Sequence, residues 1–215
     1  MLKYAYFFQL LINLIIYFAF VSSVLFARDK WLNKETGLMY PSVAYLYVCP
    51  VQMRTYLDET LKYWQNYNGL SFEPMRRIYR ELLLEKPIVE TITPENMIDE
   101  EKLLASFDLK TIKQQDLESV QAYNLEFVSS KKCNLHGFAF WFDVIFNTDE
   151  DCVTLSTSPT CKSTHWKQTI ALLPEVILSD EESESFMPES NQCLNEGDKF
   201  ECYVLMNQSE DNART

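Results

Sequence analysis

The stretch "STSPTCKSTHWKQT", Ser156 to Thr169, sets one of the chain's 2 histidines beside one of its 4 tryptophans. An imidazole changes charge near neutral pH, so it can serve as a base or orient a carboxylate. An indole face can hold a planar cation such as guanidinium. His165 and Trp166 are therefore the residues whose types and adjacency could do chemistry. A plainer reading stands beside this one: Trp166 fills a layer of a β barrel and His165 hydrogen-bonds a neighbouring strand. His136, in "LHGF", falls at an expected strand start and invites the same two readings. No grouping of Ser, Cys and His is specific enough to argue nucleophilic catalysis.

What the chain lacks narrows the chemistry further. It has 4 glycines in 215 residues, Gly37, Gly69, Gly137 and Gly197, and no two lie close in sequence. A nucleotide or S-adenosylmethionine in a doubly wound crevice needs clustered glycines for close backbone approach, so such a site is excluded from this sequence. The 6 cysteines form no CxxC pair and no Cys/His cluster at zinc spacing, so no metal site is expected. An even count fits disulfides in a secreted chain, but in a chain this long scattered cysteines are more often reduced and buried. A formal charge of −12 argues against direct nucleic-acid binding; it fits a cationic protein partner, or simply a solvated acidic surface.

The elements that must position these residues read as follows. "GLMYPSVAYLYVCPV", Gly37 to Val51, is a strand entry and strand. In "MRTYLDETLKYWQNYNG", Met53 to Gly69, the period lengthens to that of a helix. Tyr56, Leu57, Leu61, Tyr63, Trp64 and Tyr67 form a stripe, and Gly69 suits a helix C-cap. This stripe holds more aromatics than one arm buries on itself, which argues a docking surface for another chain; plain packing on the rest of the fold is the alternative. "FEPMRRIYRELLLEKP" is a second helix, ending before Pro87. Seven short apolar runs follow: "PIVETI", "KLLASFDL", "AYNLEFVSS", "HGFAFWFDVIF", "CVTLST", "KQTIALL" and "FECYVLM". They argue a mainly β fold, an antiparallel sandwich or barrel with a helical excursion after the first strand. Phe138 to Phe146 is nearly continuous and is expected to be central. "SDEESES" opens an acidic loop over about 179–192.

Tyr4 to Ala27 carries no charge. As one helix it would reach roughly 36 Å, enough to cross a bilayer. A single membrane anchor, an overlong signal peptide and a buried helix behind a foreign beginning all fit. Taken alone, residues 4–27 read as an anchor, which would make the protein single-pass.

Several segments together resemble the type I protein arginine N-methyltransferases. "VLFARDKWL" is similar to the exit from that family's methyl-donor domain, and "GLMYPSVAYLYVCPV" to the first strand of its C-terminal barrel. "YLDETLKYWQNYNGLSFEPM" resembles the helical dimerisation arm, about residues 52–85. "NLHGFAFWFDVIF" with "LSTSPTCKSTHWKQT" resembles the barrel core and its threonine–histidine–tryptophan loop. The resemblance implies a barrel domain over residues 28–215 and transfer of a methyl group from S-adenosylmethionine to protein arginines, as in histones. It implies dimerisation through the arm, with itself or a relative, and a nuclear or cytoplasmic location. A guanidinium is always charged and a poor nucleophile, so the family grips it with two glutamates. Of that arginine pocket only Thr164, His165 and Trp166 carry over.

The departures set the functional expectation. The donor-binding domain is missing from the sequence, and extending the match backward puts Gln9 and Phe18 where the paired glutamates belong. Neither holds a cation. The C-terminal "KFECYVLMNQSEDNART" is similar to the penultimate part of the barrel, so an incomplete barrel is expected, with an apolar helix, residues 1–27, before it. No cofactor is expected to bind this chain alone, and alone it is expected to be inactive. The alternative is a membrane-anchored, non-catalytic module that pairs with an intact methyltransferase.

Overall fold

A computed structural model describes residues 4–10, 15–117, 119–148, 151–174 and 193–207. The fold is mainly β with three helices, and its strands do not close into a barrel among the described residues. The acidic loop expected over 179–192 lies outside them.

The first correction concerns the amino terminus. The single helix expected over residues 4–27 is instead a strand, β1 (Tyr4–Leu10), followed by a helix, α1 (Ile15–Trp31). Tyr and Phe favour an extended backbone where a strand edge is available. That edge comes from β11 (Lys199–Asn207), along which β1 runs in parallel with Tyr4 opposite Phe200 and Leu10 opposite Met206. The uncharged part of α1, Ile15–Ala27, is shorter than the about 20 residues needed to span a bilayer. Among the described residues no helix is long and apolar enough to cross a membrane, so the expected transmembrane helix is not supported. The carboxyl end of α1 is clamped to the domain: the Arg28 guanidinium donates to the carbonyls of Leu109 at 2.9 Å and Ile112 at 2.7 Å.

All seven apolar runs are strands. The centre of the larger sheet is β2 (Val43–Val51) paired antiparallel with β7 (Gly137–Asn147). β4 (Lys102–Asp108) lies on the far edge of β2, and β3 (Ile88–Glu90) pairs with β9 (Gln168–Leu172). The second edge of β7 is divided. β9 covers Gly137–Phe140, and β8 (Cys152–Ser156) covers Asp143–Asn147. A smaller sheet has the order β1–β11–β5, where β5 is Ser119–Val128. Its two-against-one bulge sets Tyr123 and Asn124 against Tyr203, and Asn124 takes a φ of 56°, a region that Asn tolerates better than most residues. A short ribbon joins β6 (Cys133–Asn134) to β10 (Cys193–Leu194).

The first five residues of β7, Gly137 to Trp141, are all buried, so this end of the strand is covered on both faces. Phe138 and Phe140 point to the core at 0% and 1% exposure. Phe138 meets Phe127 of β5 with ring centroids 6.1 Å apart, and Phe127 stacks on Phe200 of β11 at 5.6 Å. These three rings join the two sheets, each contributing about 1.5–3 kcal/mol of burial.

The helical excursion follows β2 as expected. α2 (Arg54–Gln65) and α3 (Glu73–Glu85) form a hairpin. Gly69 is not a helix cap; it sits in the connecting turn at φ 84°, held by an Asn66 Oδ1 acceptor 2.9 Å from its N–H. All six cysteines are free thiols, but only Cys49, Cys133 and Cys202 are buried, while Cys152 and Cys161 are exposed. Burial pushes the Cys49 and Cys202 thiols up to about 12, which makes them poor nucleophiles.

Candidate functional site: a turn at the middle of β7 and an apolar arm

The divided edge of β7 places the His–Trp turn. Because β8 stops at Ser156 and β9 starts at Gln168, the chain between them leaves the sheet beside Trp141 and Phe142. Thr157 anchors this exit with a two-way exchange. Its Oγ1 donates to the Phe142 carbonyl at 2.7 Å and accepts from the Phe142 N–H at 3.1 Å. At the far end, Lys167 N–H donates to the Thr164 carbonyl at 3.2 Å, closing a four-residue turn over His165 and Trp166. Lys167 has φ 52°, and its ammonium is fixed 2.7 Å from Glu90 Oε1. That ammonium holds the Glu90 carboxyl below its usual range, helped by the Thr91 N–H.

Inside this turn His165 is exposed, and its ring lies 3.9 Å from that of Trp166. Trp166 is half-buried and meets Phe142 edge-on, centroids 6.0 Å apart at 74°. The Thr164 hydroxyl is buried and finds no hydrogen-bond partner among the described residues. The turn thus presents one aromatic wall and one imidazole to solvent. No described carboxylate is hydrogen-bonded to His165. A wall of this kind can stack on a planar cation. By itself it cannot neutralise one.

Gln9 is in β1 opposite Leu205, and Phe18 is in α1. The four glycines are also spent elsewhere. Gly69 and Gly197 serve turns at φ 84° and 83°. A Cβ on Gly37 would lie 2.4 Å from the Asn33 carbonyl, and one on Gly137 2.2 Å from the Ala171 carbonyl. None forms a cradle for the methyl donor, so these residues do not fit that cofactor and no step is derived through it. Among the described residues no group of His, Cys, Asp and Glu could hold a metal ion.

Residues that the sequence reading missed support the turn from below. Gln168, 3% exposed, accepts from the Ile92 N–H at 2.9 Å and donates to the Thr157 carbonyl at 2.7 Å. It fixes both ends of the loop to β3's exit. Asp143 lies on the opposite face of β7, where burial raises its carboxyl despite hydrogen bonding from Ser156. Asp143 is signalled in the sequence as a polar residue inside an apolar strand run; Gln168, between Lys167 and Thr169, carries no such signal.

The arm is the second candidate surface. Of its expected stripe, Leu57 and Leu61 point inward at 0% and 2% exposure, and Tyr56 and Trp64 are half-buried. Tyr63 and Tyr67 are exposed and meet at 4.9 Å. The open apolar face continues onto the connecting turn and α3 through Leu70, Phe72, Met75, Ile78 and Leu82, each more than one-third exposed. His136 seats the arm on the sheet: its Nδ1 accepts from the Met53 N–H at 3.1 Å, just before α2.

The chain is similar to known proteins along most of its length. Residues 42–215 match the model of the arginine methyltransferase oligomerization subdomain. It is 33% identical over 198 residues to a probable protein arginine N-methyltransferase 6 of Arabidopsis thaliana, covering 76% of this chain and 45% of that protein. It is 34% identical over 174 residues to protein arginine N-methyltransferase 6 of Xenopus tropicalis, covering 79% and 50%. Among solved structures, a crystal structure of PRMT6 shares 27% identity at a TM-score of 0.57, covering 86% of this chain and 61% of the other. The Trypanosoma brucei PRMT1 enzyme–prozyme heterotetrameric complex with AdoHcy shares the fold at a TM-score of 0.65 and 22% identity, covering 91% and 55%. The chain spans about half the length of the relatives it matches. A barrel-like sheet pair, an inserted helical arm and a matched oligomerization subdomain give one conclusion: the chain belongs to the protein arginine methyltransferases and carries the C-terminal part of their fold.

Proposed function

We propose that this chain acts as the oligomerisation and substrate-side portion of an arginine methyltransferase. The arm α2–α3 joins it to a second subunit. The turn Thr164–His165–Trp166 forms one wall of a pocket for a protein arginine. The observation that carries the reading is the continuous exposed apolar face from Tyr63 to Leu82, which a lone domain would not leave open to water. The acidic surface, with a net charge of −12, suits an arginine-rich substrate protein.

Sedimentation velocity tests the arm. The wild-type chain is expected to dimerise at micromolar concentration, and Ile78→Asp to weaken the dimer roughly 30-fold, the size of one interface hot spot. A wild-type chain that stays monomeric throughout would reject the reading.

Methylation needs the donor, which none of this chain's glycines is placed to cradle. Isothermal titration of the chain with S-adenosylmethionine is therefore expected to show no binding at micromolar concentration. A micromolar affinity would overturn the division of labour proposed here.

A second reading, non-catalytic pairing with an intact methyltransferase, is favoured by the shared fold with an enzyme–prozyme complex. It predicts that an intact relative displaces the homodimer in the same sedimentation experiment.

A further inference from the structure

Between α1 and the larger sheet the side chains leave a cavity of about 170 Å³. Val21 and Val24 of α1 line one side, Ala44, Phe142 and Val144 line the other, and Trp166 stands at its margin. Every residue around it is apolar, so a water inside would find no partner. Apolar cavities of about 150 Å³ stay dry and take up benzene.

The space has a cause in the sequence. On the core face of β2, Leu46 and Val48 are fully buried, and the next position on that face is the short Ala44, opposite Val144 of β7 and Phe107 of β4. The helix above cannot settle inward to compensate, because Arg28 pins its end to the carbonyls of Leu109 and Ile112. Farther along the same face of β7, Phe138 and Phe140 are buried at 0% and 1% exposure.

The lining defines what fits. With no polar atom to receive a donor or a charge, the ligand is uncharged. The volume admits one ring. Phe142 and Trp166, already edge-on at 74°, offer a further ring the offset or edge contacts that aromatics favour. We propose that this cavity binds a small uncharged aromatic molecule of single-ring size, and that occupancy steadies Trp166 and the turn it belongs to. The proposal stands apart from the methyltransferase reading, since it needs neither donor nor dimer.

The test uses the whole chain with benzene as probe and benzoate as its charged control, read by melting temperature and tryptophan fluorescence. Benzene is expected to raise the Tm saturably and change the fluorescence, while benzoate does neither. Ala44→Leu fills the hole from the sheet and Val24→Phe from the half-buried helix position. Each is expected to abolish the benzene response. If Ala44→Leu does not fold, Val24→Phe carries the comparison. No saturable response up to the solubility of benzene overturns the proposal. A response that persists in the filled variant, or one that benzoate matches, overturns it equally.

Discussion

Gly137→Ala is expected to be among the most damaging single-methyl additions in this chain. Gly137 opens β7 between Val51 of β2 and Leu172 of β9. A Cβ built there would lie 2.2 Å from the Ala171 carbonyl oxygen and 3.0 Å from both the Ala171 carbonyl carbon and the Leu172 Cα. These are backbone atoms of β9, so no side-chain rotation relieves the clash. β9 must retreat from β7, and β3 is paired to β9 on its other edge. Overpacking of this kind costs about 3 kcal/mol, and in a chain this size that lowers the Tm by roughly 6–12 °C. The effect reaches the candidate site because β9 begins at Gln168, the residue that holds both ends of the loop. Thermal unfolding by circular dichroism measures the first effect, and tryptophan fluorescence of the still-folded variant the second. A Tm within 2 °C of wild type would mean that β7 and β9 do not pack this closely.

The same "LHGF" corner shows what the sequence can and cannot reveal. The run Phe138 to Phe146 announces a central strand, and β7 is one, because an unbroken apolar run needs cover on both faces. The arm was legible in part. The helical period was plain, but the division of the stripe was not: Leu57 and Leu61, read with Tyr56, Tyr63, Trp64 and Tyr67 as one docking stripe, are buried in this chain's own core, while Tyr63 and Tyr67 are exposed. Residues 4–10 were not legible, since an uncharged aromatic stretch reads equally well as helix or strand until a partner is known. Their partner, β11, lies near the other end of the chain. At the site, His165 and Trp166 announced themselves by type and by resemblance. Gln168 did not, because its role exists only once the Ile92 N–H and the Thr157 carbonyl are brought to it. The two ends of one loop and a strand exit 76 residues away meet at one amide. No local pattern encodes that.

His136 provides the second large effect, and its sign can be worked out. The imidazole is 1% exposed, and burial pushes its pKa down to about 4 from 6.5. Arg54 acts in the same direction, while the Asn134 backbone and the Asp58 carboxylate oppose it. Nδ1 accepts the Met53 N–H, so the neutral ring carries its proton on Nε2, a buried atom with no hydrogen-bond partner. Protonation would place a second donor at Nδ1, facing the N–H that it now receives. Because the folded pKa is depressed, the unfolded chain binds the extra proton first as pH falls. The penalty is absent above about pH 6.5, grows through the window and is complete near pH 4. Its full size is about 3 kcal/mol at 1.36 kcal/mol per unit. His136→Asn keeps an acceptor near the Met53 N–H and does not titrate. Urea unfolding at pH 7, 5.5 and 4 should show wild type losing about 3 kcal/mol more than this variant over the range. Comparing the two removes the contribution of the chain's many carboxylates, which titrate in both. Hydrogen exchange of the Met53 amide should accelerate in acid in wild type first, since that is the bond protonation breaks. Parallel pH curves for the two proteins would show that His136 is not the group anchoring the arm.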